Sequence, residues 1–197
     1  MLGNVGRRGF ERAILNSSGQ IPVDPIRGMS FNPRPSHRTT NEKHREIKMS
    51  DKIVPLIGSG VAGPLGAIHL PRLWQKVSLS AAGKLADGYD ECGAGYDAMT
   101  LSALGLDRDA TVAYIKENKP SYTEFEAWVK AQDGATLDDA AIQASNDAIR
   151  GYNHGDDVRA GIFGAVGLTD DTCSARGAVD LNNLDDWAEF HAAEIKG

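Results

Sequence analysis

Signals that begin and end helices recur at short intervals from about residue 70 to the end of the chain, and they constrain the fold more than any other feature. Proline, serine, threonine, asparagine or aspartate stands at most predicted starts, and glycine or proline at most ends. Between these signals, apolar residues recur at spacings of three and four, which places them on one face of a helix. The pattern predicts an all-α protein, a compact bundle of about six or seven short helices.

The predicted helices are short and separated by tight connections. Their starts are Pro71, Tyr96, Asp107, Ser121, Thr136, Asp156 and Asn183. Their ends are Gly88, Gly105, Pro120, Gly134, Gly151 and Gly167. The first helix is predicted to carry Leu85 on its apolar face, and Ser121 with Glu124 forms a predicted capping box. A short piece at 53–57, interrupted by Pro55, is the one candidate for a strand.

The first 48 residues differ in charge and pattern from the rest. Residues 1–48 contain nine basic and four acidic residues without a sustained apolar period, whereas residues 49–197 contain twelve basic and 23 acidic residues. Such a stretch buries too little apolar surface to offset its chain entropy. We expect a poorly structured, disordered basic extension, a targeting peptide, or upstream sequence read from too early a start. Purine-rich codons for Arg45 and Glu46 would form a ribosome-binding site before Met49, which favours the last alternative.

Residues 49–197 have the size of one domain, and their composition is that of a water-soluble protein. The whole chain has a net charge of -6 and contains no apolar run of the roughly 18 residues that a membrane helix needs. We therefore expect no membrane and no nucleic acid among its partners. Cys92 and Cys173 match no zinc or redox spacing and are predicted to be reduced thiols.

A glycine-rich segment, Gly58–Gly63, matches the G-x-G-x-x-G pattern of dinucleotide-binding loops. That chemistry requires a helix beginning within the loop and a parallel sheet behind it. Here Pro64 and Gly66 follow at once, the next helix begins only at Pro71, and no alternation of strands and helices follows. The sequence predicts a loop packed over the helices, and no cofactor.

Other polar groups do not form a recognisable metal or catalytic pattern. His191 and Glu194 share a helix face, but one such pair does not make a carboxylate-bundle metal site. Asp180, Asn182 and Asp185 lack the spacing of a calcium loop, so no metal is predicted. The segment 152–157 is rich in polar residues, as a functional site would be. The same residues are also typical of a loop in which one helix ends and the next begins, so both interpretations are open.

The basic residues Arg72 and Lys76 lie four positions apart in the first turns of a predicted helix, where free amides already favour anions. Two interpretations are open: an anionic ligand bound by these residues, or salt bridges to one of the nearby carboxylates Asp87, Asp90, Glu91 and Asp97. In the first case tyrosines and a cysteine would form the wall of the site. The predicted ligand-binding set is Arg72, Lys76, Lys84, Tyr89, Cys92, Tyr96 and Asp97.

Several short motifs resemble one known family. They are residues 69–76 with Leu70-Pro71-Arg72, the step at 82–84, Tyr89, Cys92, and the helix start at 104–107. Over about residues 68–128 the chain is similar to a bacterial domain-of-unknown-function family, DUF5069. The resemblance implies a small bacterial cytosolic domain and assigns no reaction.

Two functions follow as hypotheses, and whether the protein is an enzyme stays open. The first is a non-catalytic interaction module that binds a protein partner or forms a homo-oligomer. It predicts that Trp74, Trp128 or Trp187 is partly exposed in an apolar patch. The second is a small enzyme or sensor that binds an anionic metabolite at Arg72 and Lys76.

Overall fold

The structure is a computed structural model that describes residues 51–196. Within that range the helices are α1 Leu70–Ala81, α2 Tyr96–Ala103, α3 Arg108–Asn118, α4 Tyr122–Lys130, α5 Asp139–Gly151, α6 Asp156–Val166 and α7 Ala178–Phe190. A π-helical turn, His191–Ile195, follows α7. Isolated bridges, such as Ile53 with Leu85, are the only β-structure in the described range. The all-α prediction is confirmed there, whereas the predictions for residues 1–48 lie outside the described residues.

Helix starts that depend on a local cap agree with the sequence prediction. The Asp107 side chain accepts a hydrogen bond from the amide of Ala110 at 2.8 Å. Ser121 and Glu124 form both halves of the predicted capping box. Because such caps involve residues only three positions apart, they can be read from the sequence alone. Among residues 51–196, none of the helices has the length and apolar composition that spanning a bilayer requires.

The first helix is shorter than predicted. Gly83 adopts a φ of 70°, and the amides of Gly83 and Lys84 donate to the carbonyls of Ser80 and Leu79, at 2.9 and 2.8 Å. This Schellman arrangement ends α1 at Ala81 and removes Leu85 from the helix. The prediction that Leu85 lies on the helix face is therefore wrong, because Gly83 supplies the left-handed residue that ends a helix.

Two predicted starts were also wrong. The start of α5 is capped by Asp138, whose side chain accepts from the amide of Ala141 at 3.0 Å, and Thr136 lies before it. The last helix, α7, begins five residues before Asn183 and has no side-chain cap. Its first amide, on Ala178, instead donates to the carbonyl of Tyr152 at 2.9 Å. A start that depends on a partner 26 residues away leaves no local signal.

The α1 helix lies at the centre of the fold and has two different faces. Leu70, Leu73 and Val77 are fully buried against the main apolar core. The neighbouring positions Arg72 and Lys76 follow the same spacing of three and four on an adjoining face. The apolar face packs with α2, α3 and α4, while α5 contacts α2 and α7, and α6 packs on α7. Side chains of the polar face of α1 pair with carboxylates of α2 and α7.

The glycine-rich segment packs closely against helices, as predicted. A Cβ atom on Gly58 would lie 2.7 Å from Oδ1 of Asn183 in α7, and one on Gly63 would lie 2.2 Å from Cε1 of Tyr122 in α4. The buried carboxylate of Glu126 accepts the Leu65 amide at 3.1 Å and the Tyr122 hydroxyl at 2.7 Å. These glycines therefore allow close contact between the segment and two helices.

Candidate functional site

A cavity of about 570 Å³ lies between the start of α1, the segment leading into α2, the loop between α5 and α6, and α7. Its volume is within the range of small-molecule sites. The ionisable and aromatic side chains of its lining are His69, Arg72, Lys76, Tyr89, Asp90, Tyr96, Asp97, Tyr152, His154, Asp185 and Asp186.

On one side of the cavity Arg72 is paired with a carboxylate of α7. Its Nη1 and Nη2 atoms donate to Oδ2 and Oδ1 of Asp186 at 2.7 and 2.9 Å. Nη1 also donates to the carbonyls of Pro55 and Ile57, each at 2.9 Å. The hydroxyl of Tyr89 donates to Asp186 at 2.9 Å, and burial followed by the charge of Asp186 raises the pKa of this phenol. The guanidinium is thus held by the chain itself in a bidentate pair.

A second network joins α1 to α2 through Asp97. The carboxylate accepts from Nε2 of His69 at 2.8 Å, from the Gly93 amide at 2.7 Å, and from the ammonium group of Lys76. Burial alone would raise the pKa of Asp97, but the hydrogen bond from His69 and the charge of Lys76 lower it below its usual value. Burial lowers the pKa of His69, against the raising effect of Asp97. At neutral pH the pair is an ionised carboxylate and a neutral imidazole.

The imidazole of His69 has one unused nitrogen. An ionised carboxylate can only accept, so Nε2 of His69 carries the ring proton and Nδ1 is a bare acceptor. His69 is 3% exposed, and Nδ1 has no hydrogen-bond partner among the described residues. The backbone of His69 also adopts a φ of 66°, a left-handed conformation that costs a non-glycine residue about 1–3 kcal/mol. Strain and an unpaired buried acceptor coincide at a residue that lines the cavity.

Four aromatic rings form a continuous row along the cavity. His69 meets Tyr96 edge to face at 5.3 Å between centroids, Tyr96 meets Tyr152 at 5.7 Å, and Tyr152 meets His154 at 6.0 Å. His154 also lies 2.8 Å from Oδ1 of Asn182, through Nε2. The Tyr96 hydroxyl donates to the carbonyl of Ile149 at 3.0 Å. The row joins the network at α1 to the loop before α6.

Five of the seven residues predicted to bind a ligand line the cavity: Arg72, Lys76, Tyr89, Tyr96 and Asp97. The other two lie elsewhere. Cys92 is a buried free thiol in the main core, and burial raises its pKa, with Asp97 adding to the effect. Lys84 is exposed after the end of α1, and its carbonyl accepts from the amide of Ile53 at 2.6 Å. Because the helix stops at Ala81, Lys84 does not share the face of Arg72 and Lys76.

Sequence reasoning did not assign His69, Tyr152, His154, Asp185 and Asp186 to the site. The polar composition of segment 152–157 indicated a possible site, but the end of one helix and the start of the next explained that composition equally well. Asp186 lies 114 positions from Arg72 in the chain, so no local pattern could pair them. Only the packing of α7 against the rest of the fold brings that carboxylate to the cavity.

The fold and site define an all-α domain with a polar cavity at the start of its central helix. The family model described as "Domain of unknown function (DUF5069)" matches residues 62–187, and the chain belongs to this family. The match confirms the resemblance found in the sequence and extends it as far as α7, so every residue that lines the cavity lies within it. Neither the curated proteins nor the solved structures contain a match to this chain.

Proposed function

We propose that this protein is a ligand-binding domain that holds a small polar organic molecule in the cavity between α1, α2 and α7. The observation that supports this most directly is the burial of two ion pairs in the lining. Arg72 and Lys76 are 6% and 7% exposed, and Asp186 and Asp97 are 3% and 2% exposed. Buried ion pairs add little stability over apolar residues of similar size, and perturbed ionisable groups in a cleft are typical of functional sites.

The sequence-based hypothesis was that the ligand is an anionic metabolite, and the present proposal does not include a negative charge on the ligand. Carboxylates of the chain itself already neutralise Arg72 and Lys76. An anion would have to displace these partners, so the proposal does not require one.

A blocking substitution tests the proposal. Ala94 is exposed and lines the cavity, so Ala94→Trp fills the cavity without removing a hydrogen bond. Ala113, an exposed residue of α3 outside the lining, provides the matched control Ala113→Trp. A thermal-shift screen of the full chain against anionic, neutral and cationic metabolites detects binding, because a ligand stabilises the folded form by mass action. Hits are expected to stabilise the wild type and the control variant but not Ala94→Trp.

Two results would overturn the proposal. One is a screen in which no metabolite stabilises the wild type. The other is stabilisation that persists in Ala94→Trp, because the molecule would then bind outside the cavity. Retained helical circular dichroism in both tryptophan variants ensures that a lost shift reports binding rather than misfolding.

Self-association through α7 is a second candidate, favoured by one observation. Trp187 is 60% exposed. The other two tryptophans are partly buried: Nε1 of Trp74 donates to the Pro120 carbonyl at 3.0 Å, and Trp128 stacks on Tyr114 at 4.5 Å. Sedimentation of the wild type and of Trp187→Ser tests this candidate. A dimer that dissociates in the variant supports it, and a wild-type monomer at high concentration excludes it.

A bacterial, cytoplasmic location is part of the proposal. Cys92 and Cys173 are both free thiols, which is the usual state in a reducing compartment. A diffusible metabolite of that compartment, rather than nucleic acid or membrane, is the expected partner. Localisation of a tagged full chain in cell fractions checks this point.

A further inference from the structure

The chemical class of the ligand follows from which groups of the cavity are already satisfied. Arg72 donates to Asp186, and Lys76 donates to Asp97 and to the carbonyl of Asp90. The hydroxyl of Tyr96 donates to a backbone carbonyl, and burial raises the pKa of this phenol to about 12, so it stays a donor at neutral pH. The charged donors of the lining are therefore paired within the chain.

Within residues 51–196, two acceptors of the lining are unused, as are two neutral donors, the Tyr152 hydroxyl and the Asn182 amide nitrogen. Nδ1 of His69 has no partner and is itself buried, so a donor on a ligand reaches it only when neighbouring side chains of the lining move. Asp185 lines the cavity from α7, and its carboxylate has no hydrogen bond or ion pair within residues 51–196. A carboxylate and a neutral imidazole nitrogen both require a donor, and an acceptor-only anion satisfies neither. An unpaired buried acceptor costs free energy, which a donor on a ligand would remove.

The charges of the lining favour a cation. Arg72 and Lys76 contribute two positive charges, whereas Asp90, Asp97, Asp185 and Asp186 contribute four negative ones. With His69 neutral, the excess of carboxylates over Arg72 and Lys76 is two negative charges in a partly enclosed space. Tyr96 and Tyr152 also line the cavity, and a cation that lies over the face of a tyrosine ring is attracted to it.

We propose that the cavity binds an organic amine in its protonated form, with its N–H groups donated to Asp185 and to the free acceptor of His69. The proposal rests on the proposed ligand-binding function and specifies the substrate class. A diamine matches the excess of two negative charges, and the tyrosine rings would cover its methylene chain.

A set of three four-carbon probes tests the ligand class: 1,4-diaminobutane, the neutral 1,4-butanediol and the dianion succinate. Titrations of the full chain are followed by calorimetry and by the NMR resonances of the Tyr96 and Tyr152 rings. The diamine is expected to bind and to shift these resonances, and the other two are not. Asp185→Asn should weaken diamine binding about tenfold or more, because a charged hydrogen bond is lost. Asp171→Asn makes the same charge change at an exposed residue outside the cavity and should leave the affinity nearly unchanged.

The outcomes distinguish this inference from the proposed function. If the diamine does not bind, or if both aspartate variants weaken it equally, the amine assignment fails. If succinate, butanediol or another metabolite binds instead and Ala94→Trp abolishes that binding, the ligand class fails while the binding function stands. If no small molecule binds in the cavity, both fail.

Discussion

Replacing Asp186 with asparagine leaves the buried guanidinium of Arg72 without its counter-charge. Asp186 makes two hydrogen bonds to Arg72, at 2.7 and 2.9 Å, and both side chains are more than nine-tenths buried. Removing one partner of such a pair costs about 3–5 kcal/mol, because a desolvated charge remains. The tyrosine that donates to Asp186, Tyr89, keeps an amide oxygen as acceptor, so the loss comes mainly from the charge.

Urea unfolding followed by circular dichroism measures this loss. With a slope near 2 kcal/mol per molar, the midpoint of Asp186→Asn should fall by roughly 1.5–2.5 M. The double variant Arg72→Met with Asp186→Leu removes both charges and should lose less free energy of unfolding than the two single changes added together. It will not return fully to wild type, because the carbonyls of Pro55 and Ile57 lose their donor. Asp109→Asn, in an exposed pair with Arg108, is the control and should change little.

A loss below about 1 kcal/mol for Asp186→Asn would refute the reasoning, since that is the value of an exposed pair. It would mean that water or a mobile α7 screens Arg72 in solution. Additive losses in the double variant would refute it as well, because the two side chains would then not interact.

Three further predictions concern single residues. In the unfolded chain His69 takes up a proton near pH 6.5, whereas burial keeps the imidazole of the folded protein neutral. The free energy of unfolding therefore falls as the pH drops through that value. Melting curves at a series of pH values should show a weaker pH dependence of stability in His69→Asn than in wild type, and the exposed His191→Asn is the control. Gly63→Ala should lower the free energy of unfolding in urea by about 1–3 kcal/mol, because the new Cβ would lie 2.2 Å from Tyr122. Gly161→Ala, at a helical position with open space around it, should instead raise it by about 0.5–1 kcal/mol. A thiol reagent should modify Cys173 well before Cys92, which is buried and whose pKa is raised by that burial; equal rates in single-cysteine variants would contradict the burial.

The elements that could be predicted from sequence are those with local causes. Asp107 and the capping box at Ser121 act over three residues, and the spacing of Arg72 and Lys76 places both on one helical face. The end of α1 was missed, although Gly83 was visible, because the apolar period continued to Leu85. The apolar period there predicts that the helix continues, whereas the glycine predicts that it ends, and in the structure the helix ends.

The site itself was only half predictable. The α1 and α2 side of the cavity lies within about 30 residues of chain, and its cations and tyrosines formed a visible cluster. The α7 side could not be found, because Asp185 and Asp186 acquire their role only when tertiary packing brings them opposite Arg72. The same packing is the reason why we propose a cationic rather than an anionic ligand, because the neutralising carboxylates belong to the chain.

The proposed ligand class depends on an unoccupied acceptor at His69, which NMR can observe directly. A long-range proton–nitrogen correlation spectrum of the full chain reports which ring nitrogen carries the proton. At neutral pH we predict a protonated Nε2, hydrogen-bonded to Asp97, and an unprotonated Nδ1 whose resonance moves when 1,4-diaminobutane is added. A proton on Nδ1, or a doubly protonated ring, would contradict the assignment of His69 as the free acceptor of the cavity.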